Sequence, residues 1–198
     1  MRAGSWTVAV LLVTACQPQS ERNAEWPMQE VSPSVSVTAA QAPRPASKAI
    51  LSAAGVIFDV PAGKTEEFVL GASRTDVDAA AERTFGSPDE RTELAECGAG
   101  PMEFSRYGPL TLNFQDGKLV GWFAREGTQV VTSDGIRPGA RFRDLKVARS
   151  ARMIAGSTLE GEFDYLAADG QPIRGFVKGE GRDAKIDSLY AGVNCFFR

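Results

Sequence analysis

"LTLNFQDGKLVGWFA", residues 110–124, decides the fold class. Leu110, Leu112 and Phe114 alternate on one side of an extended run, and Asp116-Gly117 is a dipeptide that a two-residue hairpin turn selects, because both central positions need positive φ. The chain then returns through a second strand-like run, so this stretch predicts an antiparallel hairpin. Upstream, "LGASRTDVDAAAERTFGSPDE" (70–90) reads as a helix. Ser73 stands at the N-cap with Asp76 three residues on, Val77, Ala80, Ala81 and Phe85 recur at helical spacing, and Gly86 and Pro88 supply the stop. Before it, "GVIFDV" (55–60) reads as a strand. Downstream the order recurs. "TSDGIRPGARFRDLKVA" (132–148) offers a turn, a Pro-Gly entry and a short helix around Phe142 and Leu145. "LEGEFDYLAADGQPIRGFVKG" (159–179) forms a hairpin about Asp169-Gly170, and "KIDSLYAGVNCFF" (185–197) supplies the final strands.

The expected fold class is therefore α+β, an antiparallel sheet with short helices packed on one face. Helix followed by antiparallel strands, twice, suggests half-repeats over 49–125 and 126–198; a single continuous sheet layer is the competing arrangement. Tyr107, Trp122, Phe123 and Tyr190 fall on or near strands and are expected in the core, Trp122 above all.

Composition narrows the function. The chain has 198 residues, 43% hydrophobic and 24% charged, which suits one ordinary domain. A net charge of −3 gives no pull toward nucleic acid, and no nucleic-acid-binding motif is present. There is no histidine, which removes the commonest general base and the commonest transition-metal ligand together. Neither a cofactor nor a metal is implied.

The N-terminus carries the strongest localisation signal. "MRAGSWTVAVLLVTAC" has a positive start at Arg2, an apolar run from Trp6 to Val13, and small residues at Thr14 and Ala15 before Cys16. That is the layout of a signal peptide, and the apolar run is too short to span a bilayer comfortably. "LVTAC" resembles the lipobox of bacterial lipoproteins. The resemblance implies cleavage after residue 15, palmitate or a related acyl group on Cys16, and, with Gln17 rather than aspartate following, residence in the outer membrane with the body facing the periplasm. Acyl chains anchor stably because each buried methylene contributes about 0.8 kcal/mol. An ordinary cleaved signal with an incidental cysteine is the alternative. Residues 16–48, rich in Pro, Ala, Ser, Val and Gln, show no sustained periodicity and read as a disordered tether to a periplasmic domain over 49–198.

"FVLGASRTDVDAAAERTFGSPDE" and "TSDGIRPGARFRDL" resemble the helix entries of tandem-repeat exported modules. These include β-lactamase-inhibitor-like proteins and the small lipoprotein of outer-membrane assembly. The similarity covers roughly residues 65 to 145, with Ala72 and Ala140 where that pattern prefers another residue, methionine among them. "ECGAGPM" with the C-terminal "AGVNCFFR" resembles a family of bacterial lipoproteins without an assigned activity. Together these imply an exported, non-enzymatic binding or assembly module.

Catalytic alternatives need residues that the chain supplies sparingly. Glu66, Glu67, Glu96 and Glu103 are acidic, but nothing in their spacing fixes a catalytic pair. Ser73, Ser105, Ser133 and Ser157 lack a nucleophile elbow, and neither Lys64 nor Lys118 stands at Ser-x-x-Lys spacing. "DGKL" and "ADGQPIRG" lack the twelve-residue calcium pattern and read as turns. The competing classes are an envelope hydrolase using carboxylate or Ser-Lys chemistry and a structural protein of the cell wall.

Charge is segregated: residues 59–103 carry 11 acids against four bases, and 137–153 carry six bases against Asp144. The two blocks are candidates to face each other. Arg137, Arg141, Arg143, Lys146, Arg149 and Arg152 form a candidate patch for an anionic envelope component or an acidic protein. A solvated helix face with internal ion pairs is the other reading. Of three cysteines, Cys16 is assigned to lipid, leaving Cys97 and Cys195 in a chain sent to an oxidising compartment. A thiolate nucleophile lacks a histidine and a zinc site lacks ligands, which leaves a Cys97–Cys195 disulfide or two buried free thiols. Changing Cys16 to Ala should abolish incorporation of labelled palmitate and move the exported chain from the membrane fraction to the soluble one on fractionation.

Overall fold

Asp116 and Gly117 adopt φ of 50° and 69°, the left-handed pair that the central hairpin requires. The computed structural model describes residues 48–61 and 63–196. Cys16, the signal over 1–15 and the tether up to residue 47 lie outside the described residues.

The element order is β1 (Ala49–Ser52), β2 (Gly55–Val60), β3 (Lys64–Val69), α1 (Arg74–Phe85), β4 (Glu90–Leu94), β5 (Met102–Tyr107), β6 (Leu110–Gln115), β7 (Lys118–Arg125), β8 (Val130–Thr132), α2 (Phe142–Arg149), β9 (Arg152–Met153), β10 (Glu162–Leu166), β11 (Pro172–Lys178) and β12 (Lys185–Gly192). Eight strands form one antiparallel sheet in the order β4-β5-β6-β7-β12-β11-β10-β9. The other four make a second sheet, β3-β2-β1-β8, in which β1 and β8 run parallel. The fold is broadly α+β, as the hairpin and helix patterns predict. The second sheet and its parallel pairing are additions: its strand β2 is read from the sequence, but β1 and β8, of four and three residues, are too short to carry their own periodicity.

One face of the long sheet is the core. Tyr107, Leu110, Leu112, Trp122, Ala124, Leu189, Ile173 and Phe163 share that face by register and are all buried. Three bodies cover them. Helix α1 packs by Val77, Ala80 and Ala81, the positions that helical spacing selects. Helix α2 inserts Phe142 against Phe163, ring centroids 4.8 Å apart. The small sheet closes the layer, and the fully buried Trp122 donates its indole N–H to the Ser52 carbonyl at 2.8 Å. Both helices thus lie on one face of the long sheet.

A polar latch fixes α1. Asp78 is buried, accepts hydrogen bonds from the Tyr107 hydroxyl at 3.0 Å and the Ser105 hydroxyl at 3.2 Å, and pairs with Arg74 at 3.4 Å. Two neutral donors and a guanidinium satisfy the charge that burial would otherwise penalise. Burial, with Asp78 adding to it, pushes the Tyr107 hydroxyl pKa well above the ordinary tyrosine range.

Bases of the acidic block and of the basic block find countercharges nearby. Arg83 meets Glu66 at 2.7 Å and Arg91 meets Glu82 at 2.6 Å; on the other side, Arg149 meets Asp134 at 3.0 Å. Trp122→Ala should lower the unfolding free energy by about 3–5 kcal/mol, through a cavity plus the lost indole bond. Denaturant titration checks this, and a change much below that range would remove Trp122 from the core.

Candidate functional site

Among the described residues, no helix and no second sheet packs on the opposite face of the long sheet. At its centre three strands present six positions in register. Phe123 and Arg125 of β7 lie beside Tyr190 and Ser188 of β12, which lie beside Arg174 and Phe176 of β11. Strand alternation puts these residues opposite the core set, so Phe123, expected in the core, is only half buried on the outer face, whereas Tyr190 on the same face is buried, as expected, beneath its aromatic neighbours. Tyr190 stacks between Phe123 and Phe176, at 6.5 and 5.6 Å between ring centroids.

After β12 the chain crosses back over this face as a short strap, residues 193–196. Phe196 stands edge-on to Tyr190 at 4.9 Å, Phe176 at 5.3 Å and Phe123 at 6.2 Å. The Asn113 amide donates to the Asn194 side chain at 2.7 Å and to the Val193 carbonyl at 3.0 Å. Close passage depends on Gly121, where a Cβ would lie 2.4 Å from the Val193 carbonyl oxygen. Any larger residue there would push the strap off the sheet.

Cys195 belongs to this strap. It follows the end of β12 at Gly192 and so is not on the terminal strand, where the sequence reading puts it. Cys97 lies in the loop between β4 and β5, in a turn closed by a 2.8 Å bond from the Gly100 amide to the Cys97 carbonyl. The two sulfurs are at disulfide distance with Cα atoms 5.5 Å apart, so the pair ties strap to hairpin loop across the outer face. Beneath it Met102 is fully buried.

Beside the strap a cavity of about 240 Å³ is lined by Phe104, Thr111, Phe123, Arg125, Cys195 and Phe196 among others. It shares Phe104, Thr111, Arg125 and Cys195 with a second groove of about 240 Å³ that reaches Glu90 and Leu94 on the edge strand. A larger cavity of about 620 Å³ lies between Glu126–Thr128 and Arg137–Ala140. Its walls are mostly backbone and small side chains, with Glu126 as the one carboxylate, and few polar groups converge on it.

The six bases of the candidate patch do not make one stripe. Arg137 donates to the Thr128 and Val130 carbonyls at 3.0 and 2.9 Å, bracing the loop that precedes β8. Arg149 pairs with Asp134, whose side chain is fully buried, and Arg152 pairs with Asp164 at 3.0 Å. Arg143 lies 3.4 Å from Asp144, Lys146 sits 6.0 Å from the Phe142 ring, and Arg141 occupies the N-cap position of α2. These contacts match the reading of a helix face with internal ion pairs.

Among the carboxylates, Glu66 pairs with Arg83 and Glu103 with Arg74. Ser73 and Lys118 meet as backbone bridge partners, yet neither lines the cavities above. A cluster that motif reading missed is Glu162, 2% exposed, which accepts from the hydroxyls of Ser157 and Tyr190. Its only sequence signal is an acid at an alternating strand position, which does not distinguish a buried carboxylate from a solvated one. No group of three or more Cys, Asp or Glu among the described residues is placed to hold a metal ion, and no helix among them is long and apolar enough to cross a membrane.

No protein-family model, curated protein or solved structure matches the chain.

Replacing Cys97 and Cys195 together by Ser should cost about 4–5 kcal/mol in the chain-entropy account, for a loop of 98 residues. Hydrogen exchange should show residues 193–196 losing protection first while β6 and β7 keep theirs. Equal protection of the strap in wild type and double variant would remove the cysteine pair from its role.

Proposed function

We propose that the chain is an acylated lipoprotein, anchored through Cys16 in the outer membrane and facing the periplasm, that acts as a non-enzymatic binding or assembly module. The observation that carries this reading is the outer face of the long sheet. Phe104, Phe123, Phe176 and Phe196 are only half buried there, next to two connected grooves and a strap tied down by the cysteine pair. A monomer that needed only a core would turn such rings inward; aromatic residues with arginine at their margin are what interface centres use. Half-repeats fit the same reading. Helix α1 leads into β4–β7 and helix α2 into β9–β12, and the last strands of the two runs, β7 and β12, pair. Duplication of a helix-plus-strands unit over 49–125 and 126–198 would build one wide face from two narrow ones.

A photo-crosslinking residue at Thr111, on the rim of both grooves, should trap a discrete envelope partner in intact cells. The same residue at Val147, 88% exposed on α2, should not. Adducts from Val147 with none from Thr111 would overturn the assignment of this face.

A further inference from the structure

Among the described residues four arginines lie on the outer face by register, and two of them are ion-paired, although Asp164, the partner of Arg152, is also the cross-strand neighbour of Arg174. Arg106 lies 3.2 Å from Glu90, and Arg152 lies 3.0 Å from Asp164. Among the described residues neither Arg125 nor Arg174 has a carboxylate at ion-pairing distance, and both are exposed. Their placement is specific. In the register of β7, β12 and β11, Arg125 and Arg174 occupy opposite corners of a rectangle whose other corners are Phe123 and Phe176, with the buried Tyr190 between Phe123 and Arg174 and Ser188 between Arg125 and Phe176. Two strand spacings across and two residues along separate the corners, which is roughly 10 by 7 Å. Arg125 is also held down on the Phe123 ring, its Cζ 5.3 Å from the centroid, so its guanidinium is partly ordered before any partner arrives.

We infer that this face binds an acidic polypeptide segment, with Arg125 and Arg174 each taking a carboxylate and the aromatic cluster between them taking an apolar side chain. This rests on the reading of the outer face as a binding surface. Charge complementarity names the occupant. A guanidinium presents a planar fork that matches a carboxylate or a phosphate in two parallel hydrogen bonds. A single phosphate cannot bridge two forks on the order of 12 Å apart, the diagonal of that rectangle, and the ground between them is aromatic, not basic. A polypeptide satisfies both demands, since residues four apart in an extended strand share a face about 13 Å apart, with the residue midway between them on that same face. A lipid surface would instead meet a continuous basic field, and here Glu90 and Asp164 interrupt it.

The test pans a random peptide library displayed on phage against the full chain with Cys97 and Cys195 oxidised, then measures synthetic copies of the selected peptides by calorimetry. The expected peptides carry Asp or Glu two residues before and two residues after an apolar residue, and their binding weakens with added NaCl. Arg125→Gln and Arg174→Gln should each weaken them about tenfold without lowering the melting temperature, while Arg143→Gln on helix α2 leaves affinity unchanged. Selected peptides with no acidic bias, or affinity unchanged in the Arg125→Gln/Arg174→Gln double variant, would overturn the inference. If such neutral peptides still lose affinity on Phe176→Ala, the binding-face reading survives and only the acidic partner falls. If no peptide maps to this face, both fall. Retention on equimolar phosphatidylglycerol–phosphatidylcholine vesicles that depends on both arginines would reassign the face to a membrane and also overturn the inference.

Discussion

The antiparallel pairing of β7 with β12, Trp122 opposite Ala191 and Phe123 opposite Tyr190, is the constraint on which the rest depends. It joins strands from distant parts of the chain, so its loop-closure entropy must be offset by what the joined sheet buries. On the inner side it completes the floor on which α1, α2 and the small sheet pack. On the outer side it puts Phe123, Tyr190 and Phe176 in consecutive strands, close enough to stack. A slip of one residue would exchange the two sets, exposing Trp122 and burying Arg125 without a partner.

Gly121 and the strap extend that constraint. The strand pair brings residue 193 directly over β7, and only a residue without a side chain leaves room for it. The strap's hydrogen bonds to Asn113, its ring contacts through Phe196 and the cysteine pair then act on a segment already in position. None of these would place the strap alone: four residues without regular structure make too few contacts to offset their own ordering entropy.

Much of the fold was legible because its signals are local. The DG turn, the helix beginning after Ser73 and ending at Gly86, and the hairpin at Asp169-Gly170 each follow from a few adjacent residues, and the structure has all three. The short helix at Phe142 was equally legible. The small sheet was not, since β1 and β8 are brief and their parallel pairing depends on contacts some eighty residues apart. The site was half legible. Cys97 and Cys195 could be paired by elimination, but the segregation of basic residues pointed to 137–152, where local acids and carbonyls absorb most of the charge. Arg125 and Arg174 stand out only once the structure is known, because what distinguishes them is the lack of a carboxylate at ion-pairing distance among the described residues, although Asp164, paired with Arg152, is the cross-strand neighbour of Arg174. Glu162 likewise looks like any strand acid until Ser157 and Tyr190 are seen to donate to it.

The position of Cys195 beyond the last strand has a consequence for assembly of the chain. Cys97 is made early, before β5 to β12, while its partner follows every strand of the long sheet. Their thiols can meet only when the strap lies across the outer face, and that requires β12 to have found β7. Oxidation therefore acts as a covalent record of finished topology. A chain stalled with its second half undocked holds Cys97 as an open thiol in its first half, which in an oxidising compartment would be visible to oxidoreductases and quality-control proteases, whereas a completed chain has closed that signal with its strap.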